Sequence, residues 1–310
     1  MFFPKINRHV FFKEPLIIVI MLLMCSLPAG YANPNYNELE TWDVTIVYPD
    51  FLQSEIPDIL STYQCTKKNV QNIFQWPILA KIRLIVINNR KDFLQVAEHP
   101  LTLAFATPSR NQITIDYQSV ITQPYSLETT LQHELCHILL GQHLKMPVPR
   151  WLNEGIAQWA SEGISEIIRP GGSVLHKAII SNTLIPFYRL DYSFPMESDA
   201  FVLAYEQSHS FVVYLVQQYG KESLLQILNQ MKRGESLHSA IRFEYGVSLL
   251  QLERDWRGTH AQFFTWLLFF INNLYTFIFV GLACVCIIGF IRLKRRKWDY
   301  PEDWDEEMLS

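Results

Sequence analysis

The chain lacks the features of several common protein classes. Only five of its 310 residues are cysteine, and three of these lie in apolar segments near the ends, so the fold does not depend on a disulfide framework. Cys65 and Cys136 could still form one bond, although Cys136 stands where a small buried residue is typical. The net charge of −4 gives no indication of nucleic-acid binding. No internal repeat or low-complexity tract is present, whereas apolar residues make up 49%, enough for a sizeable core.

The N-terminus carries the pattern of a secretory signal peptide. A short apolar run, Leu16–Leu27, follows three basic residues and precedes the small residues Gly30 and Ala32. The run is short for a membrane span, so we expect cleavage after Ala32. Residues 1–32 are therefore predicted to be a signal peptide, with an uncleaved anchor as the alternative.

A second apolar segment, Leu274–Ile291, contains no charged residue and is long enough to cross a bilayer. Together with the apolar residues before it, this segment predicts a transmembrane helix over residues 266–291. Five basic residues follow within 292–297, and such residues stay on the cytoplasmic side. The tail, 292–310, is thus predicted to be cytoplasmic, either disordered or a docking peptide. The segment 33–262 is predicted to lie outside the cytoplasm. This layout would suit a bacterial inner membrane.

Between these segments the pattern predicts an α+β domain with a small β-rich N-terminal part and a helical C-terminal part. After a polar linker at Asn33–Glu40, alternating β-branched residues predict strands at Thr41–Tyr48, Ala80–Asn88, Leu103–Ala106 and Gln112–Tyr117. Helical spacing predicts helices at Phe51–Gln75 with a possible kink at Pro57, Arg90–Glu98, Leu127–Leu140, Trp151–Glu162, Ser173–Ser181, Ala200–Tyr219, Lys221–Lys232, Ser236–Tyr245 and Leu249–Gln262.

The segment His133–His137, with the sequence HELCH, is the motif around which the domain is organised. Two histidines four residues apart lie on one helical face and can bind one metal ion. Glu134 between them can accept a proton from metal-bound water. The five residues alone are weak evidence, because such a match also arises by chance.

A catalytic zinc site needs a third protein ligand, and the sequence offers two. His143 has the spacing of the metzincin pattern, with Met196 as a weak match to its Met-turn, but Leu140 stands where that pattern needs a glycine. Glu154 lies beyond two prolines that reverse the chain. If the next helix returns antiparallel over roughly 9 Å, the Glu154 carboxylate lies level with the histidine pair. An acidic residue near a helix N-terminus is the alternative interpretation of Glu154.

The HELCH segment, followed by WLNEGIA at Trp151–Ala157, resembles the gluzincin metallopeptidases, and most closely their peptidase MA-like branch. Ala204–Leu215 (AYEQSHSFVVYL) is similar to the long helix of this branch and to the Tyr-Glu-Lys-Gly segment of aminopeptidase N-type enzymes. The resemblance covers Ala104–Trp256, about half the chain. A Gly-x-Met-x-Asn segment is missing upstream, so exopeptidase activity is not implied. Leu103–Tyr117 could provide the edge strand that binds an extended peptide.

The resemblance implies a thermolysin/gluzincin-like catalytic domain that hydrolyses peptides or proteins with one Zn²⁺ per chain. It implies that His133, His137 and Glu154 are the zinc ligands and that Glu134 is the general base. It also implies that the Tyr205 hydroxyl stabilises the oxyanion, with a core aromatic residue on an amphipathic helix as the alternative interpretation. The rival prediction is a membrane-tethered binding or assembly protein that keeps the fold without turnover.

Two further residues are candidates for roles near this site. His209 lies one turn beyond Tyr205 and could contact substrate, although the sequence favours an ordinary histidine that is hydrogen-bonded or exposed. Asn153, beside Glu154, could support a ligand.

Overall fold

The computed structural model describes residues 36–163, 167 and 174–298. The predicted signal peptide and residues 299–310 of the tail lie outside the described residues. The described chain has a mixed α+β architecture, in which one small sheet is followed by many helices. This agrees with the α+β class predicted from the sequence.

A mixed sheet forms the N-terminal part. Its strands in the described residues are β1 (Tyr36–Glu40), β2 (Val44–Pro49), β3 (Ile82–Ile87), β4 (Ala104–Thr107) and β5 (Gln112–Asp116), in the spatial order β1-β2-β3-β5-β4. β2, β3 and β5 are parallel, and the outer strands β1 and β4 pair antiparallel to their neighbours. Side chains alternate along β3, where Ile82, Leu84 and Val86 are buried. β4 is an edge strand, as the sequence allowed for this segment.

The prediction of a linker over residues 36–40 was wrong, because this stretch is β1. Its side chains are mostly exposed, so it shows no apolar alternation. The strand forms through backbone pairing with β2 alone, and Glu38 and Glu40 pair with Arg83 and Lys81. Charged side chains are common on edge strands, where they discourage further pairing.

The helices that the structure describes confirm most of the predicted helical segments. They are α1 (Ile56–Phe74), α2 (Arg90–Leu94), α3 (Tyr117–Val120), α4 (Leu127–His143), α5 (Arg150–Ala160), α6 (Val174–Ile180), α7 (Ser198–Tyr219), α8 (Lys221–Arg233), α9 (Leu237–Tyr245), α10 (Leu249–Asn272) and α11 (Leu274–Trp298). Pro57 lies in the first turn of α1, where its missing N–H costs nothing, so it does not kink the helix.

Helix α4 lies at the centre of the domain. It contacts α1 and β4 as well as α5, which in turn packs along α7. Gly155 makes this last contact possible, since an added Cβ would lie 2.5 Å from the Ser208 carbonyl oxygen and 2.7 Å from Val212 Cγ2. The three helices therefore bring their facing side chains together.

The C-terminal helices differ from the prediction in their boundaries. α10 was expected to end at Gln262 but continues to Asn272, because the intervening residues include no proline. It ends where the Asn273 side chain donates to the Phe269 carbonyl at 2.8 Å. Within the described residues, one helix is long and apolar enough to cross a membrane, over Leu274–Arg295 with a mean hydropathy of 2.6.

Candidate metal centre

Helix α4 presents two histidines to one point. Its N-terminus is capped by Ser126, whose hydroxyl accepts from the Thr129 amide at 3.3 Å. His133 and His137 lie one turn apart, and their Nε2 atoms are 3.0 Å from each other. Both residues are buried, with exposed fractions of 0% and 9%. The helix therefore directs two imidazole nitrogens into the same small space.

Glu154 adds a carboxylate to this point. After α4 ends, the chain turns back through Pro147 and Pro149, and α5 packs beside α4. Glu154 Oε2 lies 3.5 Å from His133 Nε2 and 3.4 Å from His137 Nε2. The antiparallel return expected from the sequence thus brings the three predicted ligands together.

The charges of these three residues influence one another strongly. Burial favours a raised pKa for the Glu154 carboxyl, but the adjacent His137 and His133 outweigh burial and hold that pKa far below its usual value. Burial acts to lower the pKa of His137, but the Glu154 carboxylate outweighs it, so this pKa is raised. The cluster therefore favours an ionised carboxylate between two imidazoles.

The donor set fits a zinc ion. Zinc takes nitrogen and oxygen ligands at about 2.0–2.1 Å in a tetrahedron, which separates the ligand atoms by roughly 3.3 Å. The observed separations of 3.0, 3.4 and 3.5 Å match this spacing. Three protein ligands leave a fourth tetrahedral position for another group, as in catalytic zinc sites.

Glu134 lies in the same helix between the two histidines and is 1% exposed. Its negative charge contributes to the raised pKa of His137, after the larger effects of burial, Glu154 and His133. Cys136, the next residue but one, is fully buried, and burial raises the pKa of its thiol. Cys136 is therefore a protonated core residue, and neither it nor the exposed Cys65 forms a disulfide.

Tyr205 and Arg150 lie beside the triad. Tyr205 is on α7 and is 5% exposed, and the Phe194 ring lies 5.0 Å both from its ring and from the Arg150 guanidinium carbon. Arg150 Nε is also 3.7 Å from Glu154 Oε1. Burial lowers the pKa of Arg150, but Tyr205 and Glu154 outweigh burial, so its pKa is raised. The sequence did not single out Arg150, although its place one turn before Glu154 on the same helical face could have done so.

Comparison with known families identifies this domain. The family model described as the peptidase MA superfamily matches residues 87–261, more than half of the chain. The chain belongs to the peptidase MA superfamily. This confirms the resemblance drawn from the HELCH and WLNEGIA segments. A search of the curated proteins found no match to the chain.

The peptidase MA domain does not direct His143 towards the triad. The Nε2 atom of His143 lies 2.7 Å from the Pro77 carbonyl oxygen, and its ring lies 5.0 Å from that of Trp76. Met196 is 68% exposed, and its carbonyl oxygen lies 3.2 Å from His99 Nε2. The metzincin-like alternative therefore has neither its third histidine nor a buried methionine beneath the ligands.

Two further predicted residues lie on the helices that carry Glu154 and Tyr205. His209 is half-buried on α7, one turn beyond Tyr205. Asn153 is half-buried on α5, directly before Glu154. Both remain predictions.

Proposed function

We propose that the chain is a zinc-dependent metallopeptidase with a gluzincin-like arrangement of ligands. The observation that carries the proposal is the convergence of His133, His137 and Glu154, with Nε2 and Oε2 atoms 3.0–3.5 Å apart, in a peptidase MA domain. When bound there, one zinc ion per chain supplies the Lewis-acid chemistry that makes water a nucleophile near neutral pH.

The chain's own residues divide the remaining work. Glu134, buried beside the centre, takes the proton from the attacking water and passes it to the leaving amine. Tyr205 donates a hydrogen bond from its hydroxyl to the oxyanion that develops on the scissile carbonyl. β4 has one unpaired edge in the described sheet and contacts α4, so an extended peptide can pair with it beside the site.

Peptide cleavage tests this function directly. The full chain, purified in detergent with zinc, is incubated with a mixed peptide pool, and the products are identified by mass spectrometry. Glu134→Gln should reduce cleavage by about 10²–10⁴-fold, the range for a lost general acid–base residue, while zinc content stays at one per chain.

Glu128→Gln is the matched control for this substitution. Glu128 lies in the first turn of the same helix and is exposed, so its loss should leave cleavage unchanged. Equal cleavage by the wild type and Glu134→Gln would show that the proposed mechanism is wrong. Zinc binding without any cleavage would favour the membrane-tethered binding protein instead.

We further propose that the peptidase MA domain lies outside the cytoplasm, anchored by α11. This helix is apolar over Leu274–Arg295, and basic residues cluster at its C-terminal end. Such residues remain cytoplasmic, which sets the domain on the opposite side. Peptides or proteins of the envelope or secretory space are then the accessible substrates.

Cys65 provides a test of this topology. It is exposed on α1, whereas Cys136 is buried and the other described cysteines, Cys284 and Cys286, lie in the apolar helix. A membrane-impermeant maleimide should therefore label intact cells through Cys65, and Cys65→Ser should remove the label. Labelling that requires cell lysis would contradict the proposed orientation.

A further inference from the structure

Arg150 occupies a position that helix stability does not explain. It is the first residue of α5, where the partial positive charge of the helix N-terminus disfavours a cation. The helix end is already satisfied by other groups, since the Arg150 and Trp151 amides donate to the Asp191 and Leu190 carbonyl oxygens at 2.7 and 3.1 Å. The guanidinium therefore has a role apart from starting the helix.

The surroundings of Arg150 direct its side chain to the candidate metal centre. Its Cζ lies 5.0 Å from the ring centroid of Phe194, and the Phe194 ring packs edge-on against the Tyr205 ring at 5.0 Å. The guanidinium is 3.7 Å from the Glu154 carboxylate, and its contact with the Phe194 ring places it beside Tyr205. An exposed carboxylate, Glu98, is 3.9 Å away on the outer side.

These contacts leave the Oε2 atom of Glu154 and the hydroxyl proton of Tyr205 available to other groups. Arg150 faces Oε1 of Glu154, so Oε2 remains directed at the two histidines. A guanidinium has only donors, so any hydrogen bond between Arg150 and Tyr205 uses the Tyr205 oxygen as its acceptor. The hydroxyl proton of Tyr205 is then available to a third group.

We propose that Arg150 is a positioning residue that couples metal binding to oxyanion stabilisation: one guanidinium fixes the carboxylate of Glu154 and turns the hydroxyl of Tyr205 towards the substrate. This inference rests on the proposed function and deepens it. Arginine suits this role because its planar fork can donate to two acceptors at once.

A double-mutant cycle with two readouts tests the coupling. The full chain is compared with Arg150→Met, Tyr205→Phe and the double variant, since methionine retains an apolar contact with Phe194. Zinc affinity is measured by chelator competition without substrate, and kcat and KM are measured at saturating zinc. Arg189→Met is the matched control, because Arg189 also lies over an aromatic ring, that of Tyr188 at 5.8 Å, but outside the triad.

The expected results separate the two contacts. Arg150→Met should weaken zinc binding about 10–100-fold, as for other residues that orient a metal ligand. Tyr205→Phe should leave zinc affinity unchanged and lower kcat about 10²–10³-fold, as for a lost oxyanion donor. Because Arg150 acts through Tyr205, the double variant should have the kcat of Tyr205→Phe, with KM unchanged throughout. Arg189→Met should match the wild type.

Three results would overturn the inference while the proposed function stands. These are wild-type zinc affinity in Arg150→Met, kcat losses that add in the double variant, or a zinc-free Arg150→Met that melts well below the zinc-free wild type. Absence of zinc binding in the wild type would instead overturn the proposed function, and the inference with it.

Discussion

Two buried clusters of charged residues in this domain differ in how their charges are balanced. Beside the sheet, Lys67 Nζ lies 2.9 Å from Asp43 Oδ2, and the Thr41 hydroxyl donates to the other carboxylate oxygen at 3.0 Å. At the centre of the helices, two imidazole nitrogens and one carboxylate oxygen face a common point. The first cluster is a complete ion pair within the chain, whereas the second presents a set of electron-pair donors to one position.

This difference indicates what each cluster is for. A buried charge is costly unless it is paired and hydrogen-bonded, and the Asp43–Lys67 pair meets both conditions. In the second cluster, Arg150 engages Glu154 Oε1, but Oε2 and the two Nε2 atoms converge on one another. Such convergence is suited to a cation from solution. The first cluster should therefore affect stability, and the second should affect zinc binding.

The largest expected effect is the loss of zinc on truncation of Glu154. Glu154→Ala removes one of the three proposed ligand atoms, so zinc content measured by atomic absorption should fall from about one per chain to near zero. The stabilisation that zinc gives the wild type, about 2.7 kcal/mol at a hundredfold excess over Kd, should disappear in thermal melting.

His143→Ala is the control for this substitution, because His143 contacts Pro77 and Trp76 outside the triad. It should retain full zinc. Full zinc in Glu154→Ala together with its loss in His143→Ala would restore the metzincin-like alternative and remove the contrast between the clusters.

Breaking the first cluster should destabilise the fold without altering zinc affinity. Lys67→Met leaves Asp43, which is 5% exposed, without its ionic partner. Loss of one member of a buried pair costs about 3–5 kcal/mol of unfolding free energy, measured here by denaturant titration.

Lys81→Met provides the comparison, because the Lys81–Glu40 pair lies on the exposed edge of the sheet. Exposed pairs add little to stability, so the denaturation midpoint should not move. An equal loss of stability in both variants would mean that burial does not distinguish the two ion pairs.

A smaller effect is expected at the contact between α5 and α7. In Gly155→Ala the new methyl group would meet the Ser208 carbonyl oxygen at 2.5 Å, so the helices must separate. Overpacking of this kind costs about 1–3 kcal/mol. Because Glu154 and Tyr205 lie on these helices, zinc affinity and kcat should fall together with the denaturation midpoint.

Gly258→Ala is the matched substitution in open space, since an added Cβ there has no neighbour within 4 Å. It should stabilise α10 by up to about 1 kcal/mol through helix propensity and leave zinc affinity unchanged. A site unaffected by Gly155→Ala would show that the second cluster tolerates movement of its helices.

Periodicity allowed most of the fold to be predicted. Strands with an alternating buried face, such as β3, and amphipathic helices such as α1 carry their burial pattern in the sequence. β1 was missed because its side chains are mostly exposed and only its backbone pairing defines it. The end of α10 was missed because apolar residues continued past Gln262 without a helix-breaking signal.

The sequence by itself determined the histidine pair, since a spacing of four residues on a helix places both side chains on one face. It also favoured Glu154, because two prolines and the WLNEGIA segment indicated an antiparallel return. Only the tertiary structure decided that His143 turns to Pro77 and that Arg150 contacts Glu154 and, together with Tyr205, the Phe194 ring. Local spacing fixes the direction of a side chain relative to its own helix, but contacts between α4, α5 and α7 depend on packing that residues distant in the chain supply.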